Sequence, residues 1–194
     1  MARIADPDKI ENIKRAVKEC IIEFGYGAVP TALICQKAGV SPGYLYRFYE
    51  SKDELIHELI LCELTALTEE FNGYLDTYGN IYKAAYKMIE ALFLTANEDR
   101  LTAMFRVTIV LNLMIPQDKM EQRLQDIMML ADKIIAIGNQ TGEIKPNNNP
   151  LDILVVAFTI PFRYVQFSLK INNEKKFGKE EIEKITNTCI NAFK

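Results

Sequence analysis

The sequence contains a single histidine, His57, among 194 residues. That excludes a histidine-rich metal site and argues against a Ser-His-Asp catalytic arrangement. Its four cysteines, Cys20, Cys35, Cys62 and Cys189, lie too far apart for a CxxC metal or redox site. Each falls in an apolar helical pattern, where a free thiol behaves as a small hydrophobe. No apolar run reaches the roughly 18 residues of a membrane span uninterrupted. Residues 151–162 come closest, and Asp152, Pro161 and Arg163 break them up. The N-terminus lacks the charged-then-apolar pattern of a secretion signal, so a cytoplasmic protein without a membrane partner is expected. Internal repeats, low-complexity tracts and strand-type alternation are missing too. So are a glycine-rich phosphate loop, paired carboxylates at metal-binding spacing and a nucleophile beside a base. No catalytic residue, metal site or cofactor is therefore assigned.

What is present is helical periodicity. Apolar residues make up 49% of the chain and charged residues 25%, the balance of a soluble protein with a sizeable core. The spacing and punctuation predict an all-α fold of about nine helices. Asp6-Pro7 and Ser41-Pro42 each read as a capping residue followed by proline at a first helical position, as does Asn149-Pro150. Ile10, Ile13, Val17, Ile21 and Phe24 form the buried stripe of the first helix, which Gly25 ends. A second helix is expected from Pro30 to Ala38, stopped by Gly39, and a third from Ser41-Pro42 to about Phe48. A capping box of Ser51 and Glu54 starts a fourth, which ends near Asp76. Further helices are expected near 80–96, 99–115, 118–139, 149–171 and 179–193.

Charge is uneven. Residues 1–52 hold eight Lys/Arg and six Asp/Glu, a net +2, which leaves −5 of the overall −3 for the remainder. A mildly basic head on an acidic body suits nucleic-acid contact by the head alone.

The stretch from Phe24 to Leu55 is the most informative. Two short helices separated by a tight turn at Gly39-Val40 fit a helix-turn-helix, with Ile34, Ala38, Val40 and Leu45 packing them together. The outward face of the third helix then offers Pro42, Gly43, Tyr44 and Arg47, and such a helix fits the major groove.

This stretch resembles the DNA-binding domain of the TetR family. The matching residues are Phe24-Gly25-Tyr26, Ile34-Cys35 with Ala38-Gly39-Val40-Ser41 across the turn, and Gly43, Leu45-Tyr46, Tyr49, Ser51-Lys52 and Leu55 beyond it. The resemblance implies phosphate contacts from Thr31, Tyr46 and Lys52 and base reading by Pro42, Gly43 and Tyr44, with Ser41 and Arg47 in the same DNA-binding set. Lys52 at a helix start also suits an anion on physical grounds. Three positions depart from the family pattern. Val29-Pro30 stands in place of capping threonines, Ala32 in place of a basic residue and Phe48 in place of histidine. The resemblance further implies a helix-turn-helix DNA-binding domain over residues 1–50 and a ligand-binding and dimerisation domain over residues 51–194.

In the body, the seventh helix shows Leu124, Ile127, Met128, Ala131, Ile134, Ile135 and Gly138. These form a seam with small residues that permit close approach. With Phe158 and Phe167 of the all-round apolar eighth helix, they are expected to form a homodimer interface. A pocket for a small-molecule effector is expected among Tyr82, Tyr86, Met104, Phe105, Arg106, Phe158, Phe162 and Arg163. Arg106 lies in an apolar run and needs a partner, either Glu90 or a ligand anion. Pro161 should kink the eighth helix.

The function read from these features is a regulator binding double-stranded DNA at a partly palindromic operator. It would be a repressor released by a small, largely apolar or aromatic molecule with a polar or anionic end near Arg106 or Arg163. The alternatives are a helical adaptor whose helix-turn-helix docks protein, and a helical-bundle enzyme.

Overall fold

The computed structural model describes residues 6–194, so Arg3, one of the basic residues counted in the head, lies outside it. Asp6 caps the first helix, α1 (Pro7–Phe24), by accepting from the Asp8 N–H, and Pro7 follows it, as the cap chemistry predicts. Gly25 closes α1 at φ +74°, a conformation that costs glycine little. Ile13, Val17, Cys20 and Ile21 are buried, whereas Phe24 is exposed. Phe24 was expected in the stripe, but it is the last helical residue before the chain turns away and has nothing left to pack beneath.

The next elements are α2 (Thr31–Ala38) and α3 (Pro42–Leu45). Gly39 between them is left-handed at φ +65°. Pro30, not Val29, occupies the cap position of α2, and no side chain caps it. α3 is shorter than expected. After Leu45 the N–H groups of Arg47 and Phe48 bond three residues back, to Tyr44 and Leu45, and the helix tightens into a turn. Gly43 and the aromatic residues of this segment are weak helix formers.

α4 (Lys52–Tyr78) follows. The Ser51 hydroxyl accepts from the Glu54 N–H at 3.0 Å, and the Glu54 carboxylate accepts in return from the N–H of Glu50. This is the expected capping box with its second bond one residue further out.

The chain divides into two compact units, Met1–Cys62 and Glu63–Lys194. The first turns of α4 thus belong with the head, where Leu55, Ile56, Leu59 and Ile60 are buried. The boundary expected at residue 50 would have placed all of α4 in the body.

In the second unit α5 (Ile81–Glu98) is the hub, packing against α6 (Arg100–Leu111), α7 (Met120–Thr141), α8 (Pro150–Ile171) and α9 (Lys179–Asn191). α6 stops at Leu111, short of Pro116, and Leu113 then takes a positive φ of 47°. Among the described residues this gives nine α-helices, with a 3₁₀ turn at Gln117–Lys119. The N–H groups of Ile81 and Tyr82, at the start of α5, donate to the Glu143 carboxylate at 2.8 and 3.0 Å.

The 22 residues of α8 are long and apolar enough, by length and composition, to cross a membrane, although interruptions were expected to prevent this. Its middle, Val155–Thr159, is wound as a π turn directly before Pro161. The proline has no N–H to give the preceding turn, and the widened turn takes up the mismatch.

Of the cysteines, Cys20, Cys35 and Cys189 are buried and Cys62 is exposed. Burial pushes the Cys189 thiol up to about 12. Cys62 is therefore not the core hydrophobe that the pattern suggested.

Candidate nucleic-acid interface and ligand cavity

The head packs through Ile13, Val17 and Ile21 of α1, Ile34 and Ala38 of α2 and Leu45 of α3, all buried. This core fixes the turn Gly39–Ser41 and leaves Pro42 and Gly43 exposed at the start of α3. Ser41 caps α3, its hydroxyl accepting from the Tyr44 N–H at 3.2 Å. The hydroxyl that was placed in the DNA-binding set is thus used within the head.

Tyr44 is half-buried. Its hydroxyl accepts from the Asp6 N–H at 3.2 Å, and its ring lies 5.2 Å from that of Phe48. Two cations flank that ring, Lys9 at 5.2 Å and Arg47 at 6.0 Å from its centre. Phe48, where histidine was expected, packs against Tyr44 and also underlies Arg47 at 5.8 Å. Tyr44 therefore joins α3 to the start of α1 as well as standing beside the exposed surface.

Thr31, the first residue of α2, and Tyr46 bring their hydroxyl oxygens within 3.4 Å of each other. Two of the three expected phosphate donors are therefore adjacent. Lys52 opens α4 with its ammonium 3.9 Å from Asp53. Lys37 is drawn inward: it bonds Glu19 at 3.0 Å, tying α2 to α1, and its ammonium holds the Glu19 carboxyl below its usual range. Arg47 is exposed, and its guanidinium lies over aromatic rings. The sole histidine, His57, stacks on Tyr26 with ring centres 5.6 Å apart and bonds its hydroxyl.

The body holds a cavity of about 300 Å³ between α4, α6, α7 and α8. Leu64 and Leu67 come from α4, Ile109 from α6, Ile127 from α7, and Leu154 and Phe158 from α8. Of the eight residues expected around the effector, only Phe158 lines it. Phe105 and Phe162 are buried, and Tyr82, Tyr86 and Met104 pack half-buried against the core. Arg163 is exposed and bonds Gln166 at 2.8 Å. Arg106 pairs with Glu63 at 2.8 Å, whereas Glu90 is taken by Lys87 one turn away at 2.5 Å. The aromatic residues went to the core because rings fill large buried volumes, and the cavity was left to aliphatic side chains. Arg123 is a charged residue on its wall.

Ala131, Ile134 and Gly138 are buried in the chain's own body. A Cβ on Gly138 would collide with Ile81 and Ile144, so the small residue serves close packing inside the subunit. Ile127, Ile135 and Phe158 are half-buried. Leu124, Met128 and Phe167 are exposed, as are Met129, Leu151, Val155 and Ile171.

Comparison with known proteins decides the class of this head. The family described as "Bacterial regulatory proteins, tetR family" matches residues 13–59, the helix-turn-helix and its flanks. Residues 13–59 are a TetR-type DNA-binding domain. The chain is 22% identical over 150 residues to the HTH-type transcriptional regulator YhgD of Bacillus subtilis (strain 168), covering 77% of this chain and 78% of that protein. Its fold matches a TetR family transcription regulator from Marinobacter aquaeolei VT8 at a TM-score of 0.73 and 20% identity, over 96% of each chain. It also matches the transcriptional regulator FadR from Bacillus subtilis in complex with stearoyl-CoA. There the TM-score is 0.66 and identity 19%, over 94% of this chain and 96% of that one. The chain is thus all-α with an N-terminal TetR-type DNA-binding helix-turn-helix, as in transcriptional regulators.

Proposed function

We propose that this regulator is a cytoplasmic homodimeric repressor that leaves a partly palindromic operator when a small, largely apolar molecule enters the body. One observation carries the reading. α4 has Lys52 as its first residue and contributes Leu64, Leu67 and Thr68 to the cavity wall. A ligand that favours one setting of α4 then biases the end that meets phosphate, by no more than its differential affinity for the two states.

On the DNA side, Thr31, Tyr46 and Lys52 act as phosphate contacts, with the paired hydroxyls of Thr31 and Tyr46 able to share one phosphate. Pro42, Gly43, Tyr44 and Arg47 face the bases. Ser41 holds α3 in shape. The dimer forms through Leu124 and Met128 of α7 with Leu151, Val155 and Phe167 of α8, apolar residues that are exposed in the single chain, of which Leu124, Leu151 and Val155 also line the cavity. That role also accounts for the apolar length of α8 without a membrane. Its other face, with Ile153, Phe162, Val165 and Leu169, is buried in the body's core, and Asp152, Arg163 and Lys170 punctuate it. Support for an apolar effector comes from the cavity wall and from the likeness to a regulator solved with stearoyl-CoA.

The test is selection of bound sequences from random duplexes, followed by effector titration with and without the selected operator. Enrichment of an inverted repeat and a reciprocal loss of affinity are expected. Equal effector affinities in the two titrations would sink the release mechanism, and a pool without any inverted repeat would sink the dimeric operator.

A further inference from the structure

The wall of the body cavity defines a ligand more narrowly than "apolar". Phe158 is the one aromatic ring among its lining residues, so stacking on a flat ligand is poorly served. Leu64, Leu67, Ile109, Ile127 and Leu154 give it an aliphatic surface.

Arg123 is the one charged residue on that wall. Its side chain is only 16% exposed, and its ion pair is a long one to a carboxylate that is 36% exposed. One terminal nitrogen donates to the neutral Thr65 hydroxyl, and the other lies 3.6 Å from Asp126. Arg106 differs, because Glu63 meets its Nε at 2.8 Å. A guanidinium carries five donors in a planar fork that matches a carboxylate or phosphate. A cation beside an apolar cavity, with a longer ion pair to a partly solvated carboxylate, favours an anion placed within reach.

Size supplies the remaining constraint. A dry cavity of roughly 150 Å³ takes one benzene, about 25 Å³ per ligand heavy atom, so the present 300 Å³ takes about twelve. An unbranched acid of about ten carbons has about that many heavy atoms.

We propose that this cavity binds a linear aliphatic chain of about ten carbons whose anionic head sits against Arg123. The proposal rests on reading the cavity as the effector site and names the class of molecule it takes. A free alkanoate and an acyl thioester on a phosphate-bearing carrier offer the same chemistry, a straight chain with an anion at one end.

The experiment is calorimetric titration of the full chain with decanoate, hexadecanoate, 1-decanol and decanoyl-coenzyme A. Decanoate or its thioester is expected to bind about tenfold or more tightly than 1-decanol, the margin of a charge-assisted hydrogen bond. Hexadecanoate is expected to bind more weakly than decanoate. Whichever ten-carbon anion binds should lose about tenfold to a hundredfold in R123Q, with 1-decanol unchanged. Ile127→Trp, which fills the cavity, should abolish binding of every probe. Equal affinity for acid and alcohol would overturn the proposal, as would hexadecanoate matching decanoate or an R123Q chain that binds decanoate like the parent. Should R123Q not fold, the acid-against-alcohol comparison on the parent chain decides. A probe that binds as expected yet leaves operator affinity unchanged upholds this proposal and overturns the release mechanism. No alkyl probe binding, while another small molecule still releases DNA, does the reverse.

Discussion

Arg106 on α6 donates from Nε to the Glu63 carboxylate on α4 at 2.8 Å, with the two side chains only 18% and 12% exposed. Removing either partner takes the close counter-ion from a charge in a poorly solvated place. Arg106→Met is therefore expected to cost about 2–4 kcal/mol, near the range for breaking buried pairs. The double variant Arg106→Met with Glu63→Leu should recover much of that loss, because no lone charge remains. Urea denaturation of the two single variants and the double checks this. Strictly additive losses would show that the pair is not coupled.

Lys52 at the head of α4 is expected to act on every DNA sequence alike. Lys52→Ala should weaken operator and random duplexes by similar factors and flatten the salt dependence by about one unit of slope for each phosphate left without its lysine. Tyr44→Ala removes the ring that stands beside the exposed Pro42 and Gly43 at the start of α3. It should alter base preference while leaving the salt slope as it was. Binding curves at several salt concentrations separate the two, and a Lys52→Ala chain with altered preference but an unchanged slope would reverse the assignment.

Gly138→Ala should destabilise the body. The new Cβ meets the side chains of Ile81 and Ile144, and overpacking of this kind costs about 1–3 kcal/mol. Gaining alanine's helix propensity returns about 1 kcal/mol of that. The expected net result is a lower denaturation midpoint, and a raised one would mean that α5 and the turn after α7 yield freely.

Acid should loosen α8 from α9. Burial raises the Glu181 carboxyl, but the Lys175 ammonium, the Tyr164 hydroxyl and the Gly178 N–H together outweigh that and hold it below its ordinary range. A carboxyl lowered in the folded chain contributes stability above its unfolded pKa of about 4.3 and loses it as pH falls through the lower folded value. Glu181→Gln should therefore flatten the stability profile below about pH 4.5 and leave the neutral-to-basic limb in shape. Identical acid limbs in parent and variant would assign the loss to other carboxyls.

The helix starts were legible because cap chemistry is local. Asp6-Pro7 and Asn149-Pro150 announce α1 and α8 within one turn of chain, and Gly39 announces the left-handed turn. The head's matching residues were legible too, since a short motif fixes a helix-turn-helix. What the sequence could not convey was direction. Ala131 and Gly138 signal close approach, yet only the structure shows that the neighbour is the chain's own core and not a second copy. Aromatic spacing similarly suggested a pocket among Tyr82, Tyr86 and Phe105, because a ring that fills a core and a ring that lines a cavity look the same in one dimension. Arg123 and the aliphatic wall carry no local mark that separates them from ordinary helix and core positions.

The widened turn at Val155–Thr159 acts as a phase correction. At 100° per residue, a regular helix would place Val165 about 120° and Phe162 about 180° around the axis from Ile153. One surplus residue in the π turn brings these angles to about 20° and 80°, and all three residues are buried on one side. α8 is in effect a regular helix carrying one inserted residue. Deleting a residue between Val155 and Thr159 should therefore be tolerated better than deleting one from Phe162–Leu169, where every later side chain would rotate out of register.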